Sequence, residues 1–350
     1  MRVNYKSKLI CSLLVVIFIT AFALPVFAAP ALPGQARAAH LQLPGQFTGE
    51  AAYDHIHNLT VEIGPRVAAT AAEVEASEYV FEQFEAIGYE PYYQPFSYIR
   101  WGEEYESQNV IAIKPGRSSE TVILGAHYDS VPGAPGASDN ASGTGVMLET
   151  ASLLKDYRTH ATIIFIAFGA EEVGLRGSRH YVNTMSEQEI EDTVAMINLD
   201  MIAGYGDYLY VYAGFDGPTW VRDMALDIGI NQGIDIRSTI GLYWDGYTGD
   251  WSDHAPFRWA GIPVAYFEHW NWHYDPECSW GIQNEELGFI YHSPADTIDK
   301  VNVEKMSYVG KIVAPLVNEI AKTPLRNIDS EGVGKNTAKY KSVEALQRVP

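Results

Sequence analysis

The strongest constraint on this chain is a set of short, almost unbroken apolar runs, several of them ending in acids or imidazoles. "ATIIFIAFGAEE", "DTVAMINLDMIAG", "YLYVYAG" and "IPVAYFEHW" are rich in β-branched and aromatic residues, with helical stretches between several of them. Such runs suit strands covered on both faces, as in a parallel sheet between layers of helix. "SQNVIAIKPG" and "TVILGAHYD" read as further strands. "TAAEVEASEYVFEQFEAIG" carries apolar residues at helical spacing and ends in Gly88. "GPTWVRDMALDIG", "NVEKMSYVGKIVAPLVNEIAK" and a stretch from about Gly143 to Tyr157 are expected helices too. Alternating strand and helix predicts an α/β fold, a three-layer αβα arrangement with a mostly parallel central sheet.

With 350 residues, 47% of them apolar, the chain can bury one large core, and neither an internal repeat nor a convincing second domain is visible. Residues 1–28 read as a signal peptide. Arg2, Lys6 and Lys8 precede an apolar run from Leu9 to about Phe27, and "VFA" supplies small residues for cleavage. The alternative is an uncleaved anchor, since roughly 19 apolar residues can just span a bilayer. Residues 29–48, rich in Pro, Ala and Gln, are expected to be a linker or short pro-segment. A globular unit follows at 49–322, with a polar tail at 323–350. After cleavage Cys278 would be the remaining cysteine, so an exported chain would hold together without an internal disulfide. The 44 acidic residues against 24 Lys and Arg argue against nucleic-acid binding and against docking on anionic lipid.

In open α/β sheets ligands bind outside the carboxyl ends of the strands. Those ends carry one kind of residue. "TVILGAHYD" delivers His127 and Asp129, with Asp139 in the Gly- and Pro-rich loop "SVPGAPGASDNASG" beyond it. "TIIFIAFGAEE" ends in Glu171 and Glu172, "VAMINLD" in Asp200, and "GFIYHSPADT" carries Tyr291, His292 and Asp296. Gathering carboxylates at one buried edge is costly unless cations neutralise them. Two imidazoles and three ligand carboxylates, with one Glu to spare, suit a pair of divalent metals bridged by a carboxylate about 3.5–4 Å apart. Zinc fits this donor set best, with manganese, cobalt or iron as other candidates.

The segments "GAHYDSVPGAPGASDNASG", "AFGAEEVGLRGS", "INLDM", "SDHAPF" and "YHSPADT", in that order, resemble the signature segments of the co-catalytic di-zinc aminopeptidases. That family also includes glutamate carboxypeptidases and glutaminyl cyclases, and the resemblance covers roughly residues 50–322. It implies a zinc-peptidase fold of the phosphorylase/hydrolase-like type and two Zn2+ per chain. By position His127 and Asp200 would bind one zinc, Glu172 and His292 the other, and Asp139 both. Glu171 would be the general base, Asp129 would orient His127 from behind, and Tyr291 would assist the oxyanion. The activity implied is a secreted aminopeptidase acting on peptides with a free N-terminus, with no stable membrane association once the signal is removed.

Rival readings are a carboxypeptidase or dipeptidase of the same family, a glutaminyl cyclase, and a binding ectodomain that has lost catalysis. A carboxypeptidase needs a cation for the substrate carboxylate, for which Arg176, Arg222 and Arg237 are candidates. Asp253 and His254 in "SDHAPF" are expected to shape the site wall rather than bind metal, and Asp296 to cap or support. His55, His57, His160 and His180 read as ordinary surface or packing residues. Seven of the eight Trp fall between Trp220 and Trp280, in segments that flank the motif loops. Trp270 and Trp272 are therefore expected to wall a pocket favouring an apolar or aromatic first side chain.

Overall fold

The computed structural model describes residues 46–238, 246–271, 286–288 and 290–324. The expected signal peptide, most of the linker, Trp272, Cys278 and nearly all of the polar tail lie outside the described residues. Among the described helices none is long and apolar enough to cross a membrane.

The chain opens with α1 (Glu50–His57) and α2 (Ala71–Ile87), then β1 (Tyr92–Arg100), β2 (Glu103–Lys114) and β3 (Thr121–His127). Next come α3 (Ser142–Leu154), β4 (Thr162–Phe168), α4 (Arg176–Thr184), α5 (Glu187–Asp192) and β5 (Thr193–Leu199). The second half holds β6 (Tyr208–Gly214), α6 (Trp220–Asn231), β7 (Ile236–Arg237), β8 (Tyr247–Thr248), α7 (His254–Trp259), β9 (Val264–Trp270) and α8 (Val303–Lys322). One sheet runs in the order β1-β2-β4-β3-β5-β9-β6-β7, with β8 beside β6. Its centre, β4-β3-β5-β9, is parallel.

Period-two alternation splits each central strand between two cores. Val122, Leu124 and Ala126 of β3 and Ala195, Ile197 and Leu199 of β5 join the larger core, which also includes residues of α1, α2, α3, α6 and α8. Ile123 and Met196 point the other way, into a smaller core with Val182 of α4 and Phe257 of α7. This is the three-layer αβα arrangement expected of two-sided apolar runs.

Two features differ from the simplest expectation. "YLYVYAG" (β6) pairs antiparallel with β9: the chain turns back after β5 with no helix before β6, and β9, parallel to β5, lies between the two. At the other edge β1 and β2 form an antiparallel hairpin whose turn residues, Trp101 (φ 53°) and Gly102 (φ 86°), both take the positive φ of a type I′ turn. Helix α3 runs Ser142–Leu154, starting one residue before the expected span and ending three before it. The chain's approach to α3 is set by Asn140, whose side chain accepts from the Gly143 N–H (2.9 Å) and donates to Leu199 O (2.8 Å).

Candidate metal centre

Three neighbouring parallel strands end at the same edge and deliver the acids together. His127 closes β3 in register with Phe168 of β4, and Asp200 directly follows β5. Glu171 and Glu172 follow β4 by three and four residues. Asp139 comes back over this edge on the loop before α3, and His292 arrives from a distant segment with φ 53°.

All five expected ligands meet in overlapping groups: His127, Asp139 and Asp200, and Asp139, Glu172 and His292, with a third group of His127, Glu171 and Glu172. His127 Nε2 lies 3.3 Å from Asp139 Oδ1 and 3.4 Å from Asp200 Oδ1. His292 Nε2 lies 3.2 Å from Asp139 Oδ2 and 3.0 Å from Glu172 Oε2. Each oxygen of Asp139 thus faces a different imidazole. A tetrahedral site with ligands about 2.0–2.1 Å from the metal has ligand–ligand edges of about 3.3 Å, so these separations suit zinc on either side of Asp139. His127 Nε2, Glu172 Oε1 and Asp200 Oδ1 are buried with no hydrogen-bond partner, as expected of atoms that ligate.

The electrostatics point the same way. Burial, together with Asp139, pushes Glu172 up to about 8. Burial also lifts Glu171 well above the carboxylate range, helped by Glu172, Asp253 and Asp200. Asp200 is raised as well, again chiefly by burial. Burial disfavours charge on His292, yet its hydrogen bonds to Asp139 and Glu172 outweigh that and bring it up to about 10. For His127 the same desolvation is overcome by Glu171 and Asp200, leaving it well above 6.5. Acids that hold protons and imidazoles that hold charge are what such a cluster does to relieve itself, and divalent cations would relieve it more fully.

Supporting residues hold the geometry. Asp129, fully buried, places Oδ1 3.4 Å from His127 Nδ1 and accepts the backbone N–H groups of Glu171 (3.0 Å) and Glu172 (3.2 Å). It therefore ties β3's ligand to β4's, beyond the orienting role expected of it. Asp296 accepts the N–H groups of Ser138 (2.7 Å) and Asp139 (3.0 Å), fixing the bridging position, and Ser252 donates to Asp200 Oδ2 (2.8 Å). Asp253 and His254 are buried beside the site and belong to none of these groups.

Two supports were not visible in the sequence. Glu73 on α2 accepts the Ala170 N–H (2.9 Å) just before the two glutamates. Arg66, fully buried, donates to the carbonyls of Tyr128 (2.7 Å), Leu59 (3.1 Å), Gly64 (2.9 Å), Pro135 and Gly136 (3.0 Å), clamping both ends of the Asp139 loop. Burial draws its pKa down to about 10, against the pull of Asp296, Asp129 and Asp139. At Gly136 (φ 65°) a Cβ would sit 2.8 Å from Arg66 Nη2, and at Gly143 one would lie 2.4 Å from Leu199 O, so the loop needs its small residues. No local motif marks either of them, since their main partners lie on segments distant in sequence.

A cavity of about 550 Å³ over the cluster is lined by the carboxylates of Asp139, Glu172 and Asp200, by Glu171, Glu268, His292 and Tyr291, and by Met201, Trp251 and Trp270. Tyr291 stacks on His292 (3.6 Å between centroids) and meets Trp270 edge-on (5.9 Å). Trp270 is thus where the sequence reading expects it, whereas Trp220 is buried in the larger core. The three candidate arginines point to other work. Arg222 pairs with Asp223 (2.6 Å), Arg237 pairs with Asp235 (3.0 Å) and covers Tyr208, and Arg176 donates to Val173 O. The arginine among the cavity's lining residues is Arg179, over the Trp259 ring at 4.8 Å.

A sheet edge where imidazoles and carboxylates gather in overlapping three-residue groups suits the class of metal-dependent hydrolases. Residues 109–317 match the model of peptidase family M28. Aminopeptidase YwaD of Bacillus subtilis is 39% identical over 222 residues, 62% of this chain and 45% of its own length. The alkaline phosphatase isozyme conversion protein of Escherichia coli is 30% identical over 350 residues, 86% of this chain and 94% of its own. The chain thus spans less than half of one of these relatives and nearly all of the other. The solved structure of a zinc aminopeptidase from Bacillus subtilis shares the fold, with a TM-score of 0.69 at 24% identity over 83% of this chain and 99% of that one. The chain belongs to peptidase family M28.

Proposed function

We propose that the chain is a secreted metallo-aminopeptidase that removes the N-terminal residue from peptides. The observation that carries this reading is the pair of ligand groups joined through Asp139 at the floor of a cavity wide enough for a peptide end. His127 and Asp200 would hold one zinc, Glu172 and His292 the other, and Asp139 both. Bound there, the ions would lower the pKa of a water and polarise the scissile carbonyl.

The chain's own groups would do the rest. Glu171 lines the cavity beside the cluster, its Oε2 3.9 Å from His127 Nε2, and would take the water proton and pass it to the leaving amine. Its carboxylate is suited to that task because burial raises its proton affinity. The Tyr291 phenol, kept protonated by burial and by the surrounding acids, is available to donate to a developing oxyanion. A free α-amine would enter a site rich in carboxylate, which favours N-termini over blocked ends. The signal peptide read at residues 1–28 supports export.

The test is hydrolysis of a leucyl substrate beside its N-blocked counterpart by the zinc-loaded protein. Cleavage of the free form alone, abolished by chelation and by Glu171→Gln, is expected. Faster cleavage of a blocked substrate with a free C-terminus would overturn the reading in favour of a carboxypeptidase, with Arg179 as the cation.

A further inference from the structure

Six carboxylates line the cavity over the metal centre, and among its lining residues Arg179 carries the one guanidinium. The chain leads from one to the other. Gly174 and Leu175 line the cavity just after Glu171 and Glu172, and the Arg179 N–H donates to Leu175 O (3.0 Å) in the first turn of α4. Glu171 and Leu175 are buried and Arg179 is exposed, so this path runs from the floor to the mouth. Leu175 to Arg179 is one helical turn, a rise of about 6 Å. An extended peptide advances about 3.3–3.6 Å per residue, so one or two residues cover that distance.

Asp250, another acid of the lining, is bonded to the Arg258 guanidinium (2.7 Å) and to the Trp259 indole N–H (2.8 Å). Arg179 makes no ion pair among the described residues, and its guanidinium lies over the Trp259 ring, 4.8 Å from the centroid. Trp259 is 47% exposed, so the pair stands open to solvent. A guanidinium stacked on a ring keeps its donor edge free, and that planar fork matches a carboxylate. The stacking also restricts the side chain beforehand, so less freedom is lost when a ligand arrives. Chemistry sets the side of the cavity. Glu171 would hand its proton to the leaving amine, so the leaving part of the peptide lies toward the segment between β4 and α4. That same segment runs on into Arg179.

We infer that Arg179 determines specificity on the leaving side of the scissile bond, holding the free C-terminal carboxylate of a di- or tripeptide. This rests on the aminopeptidase reading and adds a second anchor to it. A short peptide would be held at both ends, its amine among the acids of the floor and its carboxylate at the mouth.

The experiment compares leucylglycine and leucylglycinamide, which differ in the terminal carboxylate, on the zinc-loaded protein and its Arg179→Gln variant. Wild type is expected to favour leucylglycine in kcat/KM, chiefly through KM. Arg179→Gln should reduce that preference about 10-fold, with the rate on the amide nearly unchanged. Arg179→Lys, which keeps the charge without the fork, should retain part of it. No preference in wild type would overturn the assignment, as would equal losses on acid and amide. Leucylglutamyl and leucylglutaminyl amides separate the sources of a carboxylate: an Arg179-dependent preference for the glutamyl amide alone would replace the C-terminus with an acidic side chain. If N-acetylleucylglycine is cleaved faster than leucylglycine, or no substrate is cleaved, the aminopeptidase reading itself falls. Calorimetry with leucylglycine and its amide then decides Arg179 separately: tighter binding of the acid that Arg179→Gln removes upholds the carboxylate subsite, and equal binding refutes it.

Discussion

At the carboxyl ends of β3, β4 and β5 the chain collects charge, while one strand further on, along β6 and β9, it collects aromatic rings. The two regions share a cavity and are held in different ways. Three of the expected ligands are braced by another side chain: His127 by its near neighbour Asp129, and Asp139 and Asp200 by the sequence-distant Asp296 and Ser252. The wall is braced by its own register, ring on ring, with polar contacts among its members. The difference teaches that the acidic cluster and the aromatic wall are built separately here. Changes in the cluster's supports should alter metal and rate, and changes in the wall should alter which substrate is chosen.

The largest expected effect tests the reactive half alone. Glu171→Gln should lower kcat by about 10²–10⁴-fold, the usual contribution of a positioned base, with zinc content by metal analysis unchanged. Loss of zinc in this variant would show that Glu171 is a ligand and redraw the cluster. Next in size, Arg66→Met leaves five carbonyls and several acids without their cation. It should cost about 3 kcal/mol or more in urea unfolding, whereas Arg237→Met, exposed at the edge of the wall, should stay within about 0.5 kcal/mol. Similar losses for both would erase the contrast between the buried clamp at the cluster and the exposed edge of the wall.

Acid sensitivity sharpens the comparison from the other side. Burial lowers His254 to about 4 and His269 to about 3, so each is neutral in the fold but charges near 6.5 when unfolded. The unfolded chain therefore binds more protons between these values. Their contribution is complete above pH 6.5 and is lost as pH falls toward 4 and 3. Each should forfeit about 2.5 kcal/mol by pH 4.5, and His269→Asn should flatten that part of the urea-stability profile. The smallest effect belongs to Asp296→Ala, which removes the acceptor of two loop N–H groups. Zinc affinity, measured by chelator competition, should fall about 10–100-fold with little change in the substrate preference of the remaining loaded protein.

Much of the reactive half was legible because its residues sit at the ends of apolar strands. In a parallel sheet consecutive strands end on one edge, so "HYD", "AEE" and "NLD" had to converge once the runs were read as strands. The five proposed ligands and Glu171 could be picked out from motifs and order, and the structure brings their side chains together. Arg66 and Glu73 left no such trace. Each is a single charged residue in an ordinary segment, and its partners are backbone groups that carry no sequence signature. The tryptophans were legible as a group, yet only a fold could separate Trp270 in the cavity from Trp220 in the core.

What the sequence determined by itself was the layering, the edge where chemistry collects, and the donor set, because strand periodicity and residue type are local properties. The tertiary structure alone decided that β6 runs antiparallel to β9. That pairing sets Tyr210 opposite Glu268 and turns an apolar-looking run into a wall with a carboxylate in it. A strand's partner and direction depend on how the whole sheet closes, and no stretch of seven residues encodes that.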